Sequence, residues 1–254
     1  MELWTKAHAQ TLIPAILVML LVSALLRYLL KDKPFKIRLI PVQIIAVLLV
    51  VLEIGKQVLS FKNGYDLYHI PLHFCSLFIF AMPVMAFYQG KHREKVNGVV
   101  AAMCASVTLL MLIYPALIYG EWNIRDYFKG YFDFHTVTFH NLVVFAFILI
   151  VMLEIQTPVV KGVHKAAAAF MAVFSVIQGV AANTLKTNFA NFYTCNIPPL
   201  EQVRLMVQRS LGYVPAQILY GCIVGTLQVL FVMLAYEFYK LLRKPLKTKE
   251  KIGA

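Results

Sequence analysis

YHIPLHFCSLFIF, residues 68–80, is the stretch on which the reading of this chain turns. An apolar run suited to a membrane begins at Pro71, and proline is favoured at the first helical position because it has no N–H to leave unpaired. The spacing predicts a helix over about 71–88, with Cys75 in its first turn or so and His69 and His73 flanking the start. A helix N-terminus favours negative charge, and a thiol placed there can act as a nucleophile. A cysteine in the same place also serves as a small apolar residue packed between helices. The choice between these two roles rests on the polar groups that share its depth.

The chain around that stretch has 254 residues, 60% of them hydrophobic and only 14% charged, against about 25% charged in ordinary soluble domains. Long apolar runs make it an all-α, polytopic membrane protein. Short alternating segments, the mark of a barrel, are missing. The net charge is +12, and the basic residues gather at helix ends and in loops. That placement reads as topology and contact with anionic lipid, not nucleic-acid binding. The first apolar run is of full spanning length with no small-residue cleavage motif after it, so no cleavable signal peptide is expected. The four cysteines stand singly, without a CxxC, which excludes a disulfide framework or zinc knuckle as the organising principle.

The expected architecture is one domain, a bundle of seven transmembrane helices over about 11–30, 39–59, 71–88, 96–119, 134–155, 166–185 and 214–242. Pro115 can kink the fourth span. The loop GEWNIRDYFKGYFD, the linker QTPVVKGVHK and the basic tail RKPLKTKEK separate or follow spans. One side of this alternation carries twice as many Lys and Arg as the other. The bias puts the N-terminus outside and the C-terminus inside. In the last outer loop, PPLEQVRLMVQRSLG reads as a short amphipathic helix. Leu200, Val203, Met206, Val207 and Leu211 fall on one face, Pro199 suits the first turn and Gly212 the end. Such a helix lies in the interface, as a plain connector or as a lid over a cavity.

With this topology, Cys75 and His140 enter from the same side, each a few residues into its helix. His135 and Thr136 lie at the mouth of the fifth span, Asn183, Thr187 and Asn188 near the end of the sixth, and Glu53 in the outer half of the second. Ionisable residues within a bilayer are costly unless they face a cavity or a partner. Glu53 therefore belongs in the interior, orienting an imidazole or paired with Lys56 one turn away. His140 is a core histidine bonded to a backbone carbonyl, or a general base. Cys75 with His140 suggests a thiol nucleophile and its base, with nearby amides or Asn188 to stabilise an oxyanion. Three other chemistries remain open. His69, His73, Cys75, His135 and His140 are enough ligands for zinc in a metal-dependent enzyme. A hydrolase differs only in what resolves the intermediate. A transporter or lipid-binding protein would use the same hollow, although Pro83 and Pro115 alone interrupt spans and no inverted repeat is visible.

HIPLHFC at 69–75, opening a membrane helix, resembles the (H)LPLHLC signature of the YwaF-like bacterial integral membrane proteins. FHTVTFHN at 134–141 is similar to that family's histidine-bearing segment before its fifth span, and LKTNFANF at 185–192 resembles its segment after the sixth. The likeness spans about residues 10–240 and departs from the pattern at Lys186, where a small residue is usual. The YwaF-like family is in turn similar to a eukaryotic transmembrane acyltransferase family that remodels ether phospholipids, in which a cysteine and a histidine are taken as catalytic. The resemblance implies a nucleophile at Cys75 and its partner at His140, with His135 competing for that role, and supporting roles for His73 and Asn188. It further implies membrane phospholipids or lysolipids as partners and the bacterial plasma membrane as location. The expectation is for no cofactor and no bound metal.

Overall fold

The computed structural model describes residues 3–119, 127–156 and 160–243. Parts of the loop after residue 119, of the linker after residue 156 and of the basic tail lie outside them. Among the described residues the regular structure is all helical. α1 (Lys6–Leu30) and α2 (Phe35–Lys62) come first, then the short α3 (Phe78–Phe87), α4 (Arg93–Ile113), α5 (Ala116–Tyr119), α6 (Tyr131–Met152), α7 (Val163–Leu185), α8 (Pro198–Leu211) and α9 (Tyr213–Leu242). Six of these, α1, α2, α4, α6, α7 and α9, are long and apolar enough to cross a membrane. As expected, the fourth span breaks beside Pro115, between α4 and α5.

The third span departs from the expected seven-helix pattern. No helix starts at Pro71. A 3-10 turn covers Cys75–Leu77 and α3 begins at Phe78. Together Cys75–Phe87 make an apolar helix about 20 Å long, against a hydrocarbon core of about 30 Å. The cause lies in where the carbonyls of the preceding stretch go. Gln57 Nε2 donates to the His69 carbonyl at 2.7 Å, His73 Nε2 to that of Tyr68 at 3.2 Å and Gln178 Nε2 to that of Leu72 at 2.7 Å. Side chains from α2 and α7 thus take the place of a helical ladder. Pro71 donates nothing and disfavours a helical Ile70. Non-helical backbone at membrane depth is tolerated where it is enclosed by protein or lines a cavity, and both hold here.

α4 sits at the centre, packed on α3, α6, α7 and α9. Its residues from Val100 to Thr108 are buried without a break, many of them small, and small residues let neighbouring backbones approach. α1 packs on α6, and α2 on α3 and α6. At the end away from Cys75, Arg27, Arg38 and Arg243 donate to the carbonyls of Met152, Leu153 and Val151. Three helices thereby lock onto the C-terminus of α6, where cations are favoured.

Candidate functional site

The unwound residues before α3 form one wall of a cavity of about 860 Å³. A second wall is a continuous stripe of α9, running from Ala216 through Tyr220, Val224 and Gln228 to Val232. Its spacing of three or four residues is that of one helix face, and its length is about 24 Å. Leu200, Val203 and Val207 of α8 close one side, and Val107 and Leu110 of α4 line another. Leu219, Ile223 and Leu227 line the cavity and are also exposed, so the apolar wall opens sideways toward lipid. Polar groups gather in one region: Glu53, Lys56, His69, His73, Cys75, His135 and His140 all line it.

Each of these groups has a defined setting. Buried Glu53 accepts from Gln57 Nε2 at 2.7 Å and pairs with Lys56 Nζ at 2.8 Å. His135 Nε2 lies 3.2 Å from the other carboxylate oxygen, within ion-pair reach but off the axis of a hydrogen bond. Glu53 is therefore paired with Lys56 and has an imidazole as a close neighbour. His69 stacks on Phe132 and its Nδ1 is hydrogen-bonded to Ser60 Oγ at 2.8 Å. Burial pushes the His69 imidazole below its ordinary value. His73 packs edge-on against Tyr68 and Phe189 while its Nε2–H holds the Tyr68 carbonyl.

His140 differs from the others in a way that matters for proton transfer. Its Nδ1 lies 2.6 Å from the Thr136 carbonyl. A carbonyl can only accept, so Nδ1 carries the hydrogen and the lone pair of the neutral ring sits on Nε2. The backbone bond weighed as an alternative to catalysis instead fixes the tautomer a base requires. Cys75 and His140 share the cavity. Among the described residues, no hydrogen bond links the thiol directly to an imidazole.

The structure gives Asn188 a different task from the oxyanion role considered for it. Asn188 does not line the cavity. Its Oδ1 accepts from Tyr193 N–H and Thr194 N–H, and its Nδ2 donates to Asn196, which folds the loop after α7. Cavity contact falls instead to Ala190 and Asn191, both left-handed, with φ of 48° and 66°. Non-glycine residues held that way store strain and cluster at functional sites.

The amphipathic helix falls where its pattern placed it, as α8. Leu200, Val203 and Val207 join the cavity wall, and Leu200 and Val203 are exposed like Met206 and Leu211. Arg204 fastens it through Glu201 and Gln217 Oε1, and Glu201 accepts from Cys195 N–H. The Arg204 hydrogen bond, aided by Cys195 N–H, holds the Glu201 carboxyl below its usual value against the opposing effect of burial. Cys195 also lines the cavity, and it and Cys75 are both free thiols. No group of three His, Cys, Asp or Glu that could hold a metal ion occurs among the described residues.

Sequence reasoning missed Tyr220, Gln228 and the anchoring role of Arg204. A readable signal was present on α9. Gly221 and Gly225 have the spacing that permits close approach, and the Phe192 ring lies over both and over Gly179. That face of α9 therefore turns inward.

A model of the TMEM164 family matches residues 3–236. The chain belongs to the TMEM164 family. Neither a curated protein nor a solved structure matches it. Membership of the TMEM164 family and six apolar helices of spanning length together make it a multi-pass membrane protein.

Proposed function

We propose that this protein transfers a fatty acyl chain between membrane phospholipids through an S-acyl intermediate on Cys75. The observation that carries this reading is one cavity lined by a thiol and imidazoles in one region and by a long apolar stripe in another. A phospholipid has that same division, an ester between a polar head and an apolar tail. His140 is the base, because its Nδ1 bond leaves Nε2 able to take the thiol proton. His135 is tied to the Glu53–Lys56 pair and acts through the local charge. Of the N–H groups in the turn before α3, that of Cys75 has no backbone acceptor among the described residues and is left to favour a thiolate. The YwaF-like motifs agree with this assignment. So does the likeness to the ether-phospholipid acyltransferases. On this reading the site lies at the outer leaflet of a bacterial plasma membrane, with the N-terminus outside and the C-terminus inside, in keeping with the Lys and Arg bias of the loops.

The test is acylation of the purified protein by a phospholipid with a tagged acyl chain, read by intact mass. Wild type should gain one acyl group, and Cys75→Ala should gain none. Equal labelling of both would reject the nucleophile. Tagged lipid retained without any adduct would favour a lipid-binding or transport role. Release of free acid rather than a new lipid would make the protein a hydrolase.

A further inference from the structure

An acyl transfer at Cys75 needs hydrogen-bond donors where negative charge develops on the carbonyl oxygen, and with Asn188 committed to its loop the donor has to come from elsewhere. α7 acts as a depth gauge. Ser175 and Gln178 are three residues apart on one face of it, about 4.5 Å along the axis. Gln178 Nε2 donates to the Leu72 carbonyl at 2.7 Å, just ahead of Cys75. Ser175 Oγ donates to Gln228 Oε1 at 3.1 Å. Both Cys75 and Gln228 line the cavity. The Gln228 carboxamide therefore stands within about one helical turn of the depth of the thiol. With Oε1 taken by Ser175, the Nε2 hydrogens are left to the cavity, and no acceptor is bonded to them among the described residues. The backbone offers a second donor. Ser76 and Leu77 spend their N–H groups on the His73 and Phe74 carbonyls, whereas Cys75 N–H has no backbone acceptor among the described residues.

We propose that Gln228 Nε2, together with Cys75 N–H, forms the oxyanion hole for acyl transfer to Cys75. This rests on the thiol reading above. His140 Nε2 takes the thiol proton and the sulfur attacks the ester carbonyl carbon. The C–S bond forms while the C=O π pair moves onto oxygen, where Gln228 and Cys75 N–H receive it. The pair returns, the C–O bond to the lysolipid breaks, and the leaving oxygen takes the proton from His140. An acceptor hydroxyl then runs the same steps in reverse and restores the thiol. Ser175 positions the amide by fixing which of its ends faces the cavity.

The experiment follows formation of acyl-Cys75 over time by intact mass, using the full-length protein in nanodiscs and a tagged phospholipid. Gln228→Leu should slow the maximal acylation rate about 100- to 1000-fold, with half-saturation by the donor little changed. Ser175→Ala should give a smaller loss in the same parameter. Gln228→Met stands in if leucine disturbs α9. Modification of Cys75 by a methanethiosulfonate is attack at sulfur that expels a sulfinate and passes through no tetrahedral carbonyl intermediate, so its rate should stay near the wild-type value in every variant and report an intact site. Acylation by Gln228→Leu and Gln228→Met as fast as wild type, with thiosulfonate reactivity unchanged, would overturn the assignment of Gln228 while leaving Cys75 as nucleophile. Absence of any adduct on the wild-type protein would remove the thiol reading itself.

Discussion

Replacing Glu53 by glutamine should cost about 3 kcal/mol of stability, and a second substitution should recover most of it. The carboxylate is buried and meets Lys56 Nζ at 2.8 Å, Gln57 Nε2 at 2.7 Å and His135 Nε2 at 3.2 Å. At 2.8 Å the gross attraction of the Lys56 pair is about 6 kcal/mol for an effective dielectric near 20. Desolvation of each ion takes back several kcal/mol, so the intact pair contributes little net. Half a pair is another matter, because the surviving charge keeps its desolvation cost without its partner. Breaking a buried pair typically costs about 3–5 kcal/mol. The Lys56 side chain is 12% exposed and its stem can snorkel outward, which places Glu53→Gln near the lower bound. Glu53→Gln with Lys56→Met removes both charges and should return to within about 1 kcal/mol of wild type. Reversible unfolding of wild type, both single variants and the double variant in mixed micelles measures the cycle. A single glutamine variant as stable as wild type would refute this reasoning, and so would a double variant weaker than Glu53→Gln alone.

Other outcomes follow from particular contacts. Ala190→Gly removes a methyl from a left-handed residue and should stabilise by up to about 1 kcal/mol, while Ala190→Val should destabilise; thermal unfolding in detergent measures both. A side chain at Gly98 would bring its first carbon within 2.6 Å of Val163, so Gly98→Leu should push α4 from α7 and lower the yield of monodisperse protein on size exclusion. The Glu201 carboxyl is held low chiefly by Arg204, so its contribution is full above the ordinary glutamate value of about 4.3 and fades as pH falls through the lower folded value. Protease accessibility of α8 should therefore stay flat from pH 7 to about pH 5 and rise only in stronger acid; a rise already near pH 6 would contradict that.

Much of this fold was legible because membrane helices announce themselves by length and composition, and six apolar runs became spanning helices. The amphipathic α8 was legible for a related reason, since its apolar residues recur at the helical period. The third span was not, because its unwinding depends on Gln57 and Gln178, distant in sequence, reaching the carbonyls of His69 and Leu72. Local propensity carries no trace of such partners. At the site, ionisable residues stood out against an apolar background, which is how Glu53, His135 and His140 were found together with Cys75. Gln228 escaped notice because one amide on a long apolar helix resembles ordinary interhelical bonding. Asn188 misled for the opposite reason. It sits in a motif-like segment, but loop closure consumes its hydrogen-bonding capacity.

The truncated third helix bears on how the chain enters its membrane during synthesis. α1 and α2 are each long and apolar enough to cross a membrane, but Cys75–Phe87 is too short to span the hydrocarbon core as a helix. The polar residues ahead of it become tolerable only once α2 and α7 supply partners, and α7 emerges from the ribosome much later. Until then the segment has no settled depth. Reporter enzymes fused directly after Tyr88 would therefore describe a half-built intermediate, and a map of sidedness should attach them beyond α9 or insert them into the complete chain.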